Sequence, residues 1–231
     1  MMRINMLQLI EGAKQAEGLT VIIDVFRAFS LECYLHDMGV KEIRPVGSIE
    51  DAFRLNELIP GSVLVGERGG KKCEGFDYGN SPSSVSPDHV AGKTIIHTTS
   101  AGTQGIVNAQ NATEIITGSL VNAKAIVQYI KSRKPEVVSI VSMGTAGTRT
   151  NPEDELCAEY LKSLLEGNEL PDIEERIAGL RTNGGEHFFD PDRQEIFPEA
   201  DYWMCIKYNQ FPFVIRIEKD ELGFVAVKQE I

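Results

Sequence analysis

Five blocks of this 231-residue chain carry side chains able to do chemistry, and each follows an apolar run. Asp24 closes LTVIID, with Arg27 three residues on. Glu67 and Arg68 follow SVLVG and precede Gly69 and Gly70. Thr98-Thr99-Ser100-Ala101-Gly102-Thr103 follows TIIH. Gly118-Ser119, with Asn122 beyond, follows TEIIT. Gly144-Thr145-Ala146-Gly147-Thr148 follows VVSIVSM. Asp24, Glu67 and, further on, Asp77 offer hard oxygen ligands for Mg²⁺. Arg27 and Arg68 offer forked donors to phosphate oxygens. The Ser/Thr/Gly turns offer backbone N–H groups at helix starts, where an anion is favoured. Such a set suits a metal-bound phosphate, the cation neutralising it and positioning or ionising an attacking water. Singly, each has a plainer reading: Asp24 as a helix cap, Glu67-Arg68 as a surface ion pair, a Gly/Thr turn as a tight connection. Their recurrence at strand ends, where open α/β sheets bind ligands, favours a site.

The elements that must position these residues follow from periodicity. Short apolar runs alternate with helix-length amphipathic stretches, the pattern of an α/β fold with a mostly parallel central sheet flanked by helices. Strands are expected at 19–24, 42–46, 62–66, 93–98, 113–118 and 135–144. Helices are expected at 27–38, from Ser48 to about Leu58, after Gly102, from Ser119 to about Arg133, and from Pro152, a good first helical residue. Ser48 opens a near-capping box and Pro60 stops its helix. Residues 67–92 lack an apolar period and read as a long loop, either functional or disordered, with Phe76 and Tyr78 favouring order. From 171 the pattern weakens, with helices near 171–182 and 191–209. The chain ends in two β-rich runs around Asp220-Glu221-Leu222-Gly223, a C-terminal hairpin. One domain over 1–231 is expected, with 171–231 as a less regular part.

Composition narrows the function. Acidic residues outnumber basic ones 34 to 23, giving a formal net charge of −11. That opposes broad nucleic-acid or anionic-membrane binding. No window reaches the roughly 18 apolar residues of a membrane span. The spacing of Cys33, Cys73, Cys157 and Cys205 matches no zinc motif and suits free thiols in a reducing cytoplasm. Asp24 is followed by Val25 and Phe26, so no Asp-x-Asp phosphatase motif forms, and no cysteine has an Arg six positions on. Gly92-Lys93-Thr94 lacks the leading glycine of a P-loop and precedes a strand. His97 ends a strand and either packs in the core or faces the site. His36, His89 and His187 read as ordinary residues.

The blocks IIDVFRAFS, GERGGKKCEGFDYGNSP and GKTIIHTTSAGT, in this order, resemble the 2-phosphosulfolactate phosphatase (ComB-like) family. GSLVNA, PEDELCAEY and the stretch around Asp201 and Cys205 also fit, so the resemblance covers most of the chain. It implies a Mg²⁺-dependent phosphatase cleaving the phosphate ester of 2-phospho-3-sulfolactate to 3-sulfolactate, on the route to coenzyme M. Carried over by motif, the site residues are Asp24, Arg27, Glu67, Arg68, Asp77, Asn80, Ser81, Thr99, Ser100, Gly102, Thr103, Asp154 and Glu155, with Ser119 from GSLVNA. The family's third block often reads Thr-Thr-Asn-Gly-Thr, whereas Ser100-Ala101 stands here before Gly102-Thr103. The combined expectation is Mg²⁺ held by Asp24, Glu67, Asp77 and Asp154. Arg27 and Arg68 clamp phosphate, and Asn80, Ser81, Thr99, Ser100, Gly102, Thr103 and Ser119 line the substrate. Asp24 is the expected nucleophile if a phosphoenzyme forms. The alternatives are a non-catalytic module binding a small phosphorylated or sulfonated acid, and a phosphatase for another small ester. A homodimer is expected on base rates alone.

Overall fold

The structure is a computed structural model, and it describes residues 2–231. In chain order the first half runs β1 (Arg3–Gln8), α1 (Leu9–Gln15), β2 (Gly18–Ile23), α2 (Ala28–Asp37), β3 (Glu42–Pro45), α3 (Ile49–Leu58), β4 (Val63–Arg68), β5 (Lys71–Lys72), α4 (Pro87–Val90), β6 (Thr94–Thr98) and α5 (Gly102–Asn108). The second half runs β7 (Ala112–Gly118), α6 (Ala123–Arg133), β8 (Val137–Ser142), α7 (Pro152–Leu165), α8 (Ile173–Gly179), α9 (Glu199–Cys205), β9 (Phe213–Asp220) and β10 (Gly223–Glu230).

Local chemistry sets many of these boundaries. Ser48 Oγ accepts the Asp51 N–H at 3.0 Å and starts α3. Asn151 Oδ1 accepts the Asp154 N–H at 3.2 Å, and Pro152 opens α7. Strands β2, β6 and β8 are buried almost throughout, as apolar runs covered on both faces should be. The edge strand β1 and helix α1 were not expected from the sequence; RINMLQ mixes polar and apolar positions because β1 pairs only with β8. The long 67–92 loop contains β5, a 3₁₀ turn at Pro82–Ser84 and the short α4. The 191–209 helix is reduced to a 3₁₀ turn at Pro191–Arg193 and α9, because Pro198 sits between them and cannot continue a helix.

All strands join one sheet, in the order β1-β8-β2-β7-β9-β10-β3-β6-β4-β5. The first four are mutually parallel, and so are β3, β6 and β4. The C-terminal hairpin β9–β10 lies between these blocks, antiparallel to β7 on one side and to β3 on the other. Residues 213–230 thus supply two central strands. Counted along the ladder, the two parallel blocks point in opposite directions. Six strand-to-strand steps separate β2 from β4, and at about 20–25° of twist each the sheet turns by roughly 120–150°. That turn offsets most of the reversal and swings the carboxyl ends of both blocks to one side. Helix α2 fills the curl, buried from Ala28 to His36. Its Glu32 bonds His97 of β6 at 3.0 Å and accepts from Thr117 of β7 at 3.5 Å, although three strands intervene between them along the ladder.

The four cysteines are free and buried. Among the described residues no helix is long and apolar enough to cross a membrane.

Candidate active site

The carboxyl ends of the strands open onto a cavity of about 590 Å³. Asp24 enters it from the end of β2, Glu67 from β4, Ser100 from the turn after β6, and Glu153 from the first turn of α7. Glu186 and His187 line it from the 180s, Arg193 and Phe197 from the segment before α9, and Arg149 from the turn after β8. Arg27 and Asn80 also line it.

The acidic groups are under electrostatic stress. Burial, and then the charges of Asp154 and Glu67, push Asp24 up to about 8, against N–H donation from Ala28 and Gly102. Burial, then Asp24 and Glu186, push Glu153 up to about 8, with its own backbone amide opposing. Glu153 Oε2 is buried and has no hydrogen-bond partner among the described residues. Glu67 is better satisfied: Oε1 accepts from Ser100 N at 2.7 Å, and Oε2 accepts from Gly70 N at 2.6 Å and from Ser100 Oγ at 3.2 Å. Gly102 is required by close approach, since a Cβ there would lie 2.9 Å from Asp24 Oδ2.

The cationic side is divided. Arg27 is buried and heavily committed: Nη1 donates to Asp201 Oδ2 and to Ile196 O, each at 2.9 Å, and Nη2 donates to Gly70 O at 3.2 Å. Its guanidinium also lies 4.8 Å from the Phe197 ring centre. Asp201, fully buried, takes Ser81 Oγ, Ser83 N and Ser83 Oγ on its other oxygen. His187 is pushed down to about 4 by burial and by Arg193 and Arg27, so it is a neutral imidazole at pH 7.

Several residues expected at the site stand elsewhere. Arg68 follows Glu67 on the same strand and so points to the opposite face. It donates to Thr98 Oγ1 at 2.9 Å and to the carbonyls of Glu67 and Gly47, outside the cavity. Asp77 is exposed, and its Oδ2 accepts the Leu64 N–H at 2.8 Å, which ties the long loop to β4. Asp154 is buried beside the cavity, with Oδ1 on Val25 N and Oδ2 on Gly144 N, both at 2.8 Å. It clasps the ends of β2 and β8, and its neighbour Glu153 faces the cavity instead. Burial, then Glu153, hold Asp154 up near 8, opposed by those two amides. Thr99 and Thr103 bond each other reciprocally at the start of α5. Ser119 Oγ meets Ser30 Oγ at 2.6 Å beneath the surface. Ser81 is held by Asp201 and borders a neighbouring cavity with Asp77. Glu155 accepts from Gln8 at the surface.

The sequence reading missed Glu153, Arg149, Glu186, His187 and Arg193. Only Arg149, the residue immediately after the strand-end turn, carried the signal applied to the other blocks. His97 joins the core to the site: Nδ1 bonds Glu32, and Nε2 bonds Asn80 Oδ1 at 3.1 Å.

A family model described as 2-phosphosulpholactate phosphatase matches residues 4–186, a span that carries Asp24, Glu67, Asn80, Ser100 and Glu153. The chain belongs to this family. It is 32% identical over 205 residues to a probable 2-phosphosulfolactate phosphatase of Bacillus subtilis, covering 87% of this chain and 88% of the relative. Proteins of the same description from Caldicellulosiruptor saccharolyticus and Carboxydothermus hydrogenoformans are 39% and 41% identical. Those alignments cover 83% and 71% of this chain, and 80% and 68% of the relatives. The family match ends at residue 186, so His187, Arg193 and Phe197 enter the cavity wall from beyond it.

Proposed function

We propose that this chain hydrolyses the phosphate ester of 2-phospho-3-sulfolactate, with Mg²⁺ as cofactor, releasing 3-sulfolactate and inorganic phosphate. The carrying observation is a cavity in which stressed carboxylates, one with an unpartnered buried oxygen, stand beside guanidinium groups. A module that only bound an anion would gain nothing from burying like charge next to it. A divalent cation turns that repulsion into attraction.

Among the described residues no three His, Cys, Asp or Glu side chains form a ready cage. That fits Mg²⁺, which takes one or two carboxylates and keeps waters and substrate phosphate as its other ligands. Asp24 and Glu153 would hold it, with Glu67 beside them. The bound cation supplies charge neutralisation at the phosphoryl oxygens and orientation of the attacking water. The chain's own groups do the rest. Asn80, Ser100 and the free N–H groups of Arg27 line the wall that orients the phosphoryl group. Phe197 and Phe26 limit water beside it. Neutral His187 presents no positive charge to compete for the substrate's anions. Water adds to phosphorus, the bond from phosphorus to the ester oxygen breaks, and that oxygen leaves as a hydroxyl after taking a proton.

Phosphate release from 2-phospho-3-sulfolactate, measured with Mg²⁺ and with EDTA, tests the reading. Turnover in Mg²⁺, its loss in EDTA and its loss in Asp24→Asn are expected. Equal turnover in EDTA would remove the cofactor, and preference for another phosphate ester would remove the substrate.

A further inference from the structure

Two arginines at the cavity rim are not used by the chemistry above. Arg149 and Arg193 are solvent-exposed and line the same cavity as Asp24, Glu67, Glu153 and Glu186. Among the described residues neither guanidinium has a hydrogen-bond or ion-pair partner. In a chain of net charge −11, two free arginines facing a cavity with four carboxylates mean that the charges are held apart. Asp24, Glu67 and Glu153 are buried and make an acidic floor, while Arg149 and Arg193 stand exposed at a rim they share with Glu186.

The backbone fixes that separation. Arg149 sits in a tight turn, with its N–H on Thr145 O and its carbonyl accepting the Thr145 N–H at 2.7 Å. Gly144, at φ +64°, closes the turn so tightly that a Cβ would meet Arg149 O at 2.2 Å. Arg193 belongs to the 3₁₀ turn at Pro191–Arg193, and its carbonyl accepts from Ile196 N and Phe197 N. Its guanidinium lies 4.6 Å from the Phe197 ring centre, on the ring that also carries Arg27. The two rim arginines come from separate loops, so they can grip separate groups of one ligand.

We propose that Arg149 and Arg193 are specificity-determining residues that bind the non-reacting anionic groups of the substrate. The ligand class is a short phosphate ester whose tail carries two further oxyanions, a carboxylate and a sulfonate. With phosphate drawn to the acidic floor by the cation, the tail faces the rim, where planar guanidinium forks match oxyanion geometry. The assignment rests on the phosphatase reading given above, and its test separates the two.

The experiment compares wild type, Arg149→Gln, Arg193→Gln and the double variant on three Mg²⁺-assayed esters: 2-phospho-3-sulfolactate, 2-phospholactate and isopropyl phosphate. These tails carry two, one and no oxyanions. For wild type, kcat/KM rises with tail charge. In each single variant the ratio of kcat/KM for phosphosulfolactate to that for isopropyl phosphate falls by about 10- to 100-fold, the size of one charged hydrogen-bonded contact. An unchanged ratio in the double variant overturns the assignment. Wild type that favours another ester, while the variants still flatten the ranking by tail charge, sinks the substrate and keeps the arginines. A binding readout covers loss of turnover: calorimetry with 3-sulfolactate should show weakening in the double variant, and wild-type affinity there overturns the assignment.

Discussion

Glu153 is the residue whose replacement tests the electrostatic argument most directly. Its carboxyl is buried, pushed from 4.5 to about 8, and has one oxygen without a partner. Without a cation, the folded protein holds this proton across a range where the unfolded chain has already released it. The folded state then binds more protons than the unfolded state, so stability falls as pH rises. The loss begins near pH 4.5 and levels off above about pH 8. A tenfold difference in proton affinity between the two states corresponds to about 1.4 kcal/mol, so between pH 5 and pH 8 this one group costs roughly 3–4 kcal/mol. Asp24 and Asp154 move in the same direction but partly through each other and Glu153, so their costs do not add. Urea denaturation in EDTA from pH 5 to pH 8 should show a midpoint that drops steadily, and Mg²⁺ should remove most of the slope. Glu153→Gln should be more stable than wild type at pH 8 in EDTA, should lose much of the slope, and should gain less from added Mg²⁺. A flat wild-type profile in EDTA, or a Glu153→Gln variant stabilised by Mg²⁺ as fully as wild type, would refute the reasoning.

Asp201→Ala strands the Arg27 guanidinium, whose side chain is 4% exposed; unfolding measurements should show a loss of about 3–5 kcal/mol. Arg68→Ala removes contacts outside the cavity, so kcat/KM should stay within about threefold of wild type, and a collapse of turnover with the fold intact would return Arg68 to the site. Gly102→Ala forces a methyl to within 2.9 Å of Asp24 Oδ2 and 3.0 Å of Phe29; a cost of about 1–3 kcal/mol is expected, with turnover reduced more than in a variant equally destabilised elsewhere. Glu32→Ala removes the oxygen that His97 Nδ1 meets and so unties His97 and through it Asn80; kcat should fall about tenfold or more with KM less affected, and unchanged kcat in a folded variant would leave that chain a packing device only.

The fold was legible wherever burial produced a continuous apolar run. Strands β2, β4, β6, β7 and β8, the capped start of α3 and the terminal hairpin all follow from local pattern. The hairpin's central position was not legible, because strand order is a non-local property that leaves no trace in periodicity. For the same reason the sequence did not show that the two parallel blocks point in opposite directions along the ladder, with β9 and β10 between them, and share one cavity only because the sheet twists. The site was legible in part. Asp24, Glu67 and Ser100 stand at strand ends, where the rule for open sheets places ligands. Arg68 failed because consecutive strand residues face opposite ways, so Glu67-Arg68 can present only one of them to the cavity. Asp154 failed by one residue on a helix: a step of about 100° turns one carboxylate to the backbone amides and its neighbour to the cavity. Arg193 and His187 lie in irregular segments, where no period predicts what a side chain faces.

The curl of the sheet and the site's chemistry depend on one buried polar connection. An apolar helix could fill the groove between the two blocks, but its packing would not register one block against the other. Glu32 does so, because its carboxylate must meet His97 of β6 while its other oxygen takes Thr117 of β7. The Asn80 amide oxygen faces His97 Nε2 at 3.1 Å, and Asn80 itself lines the cavity. The group that bridges the blocks therefore also anchors, through His97, one residue of the cavity wall. Loosening the curl and releasing Asn80 are then one event, which is why truncating the buried Glu32 side chain should be read out in kcat.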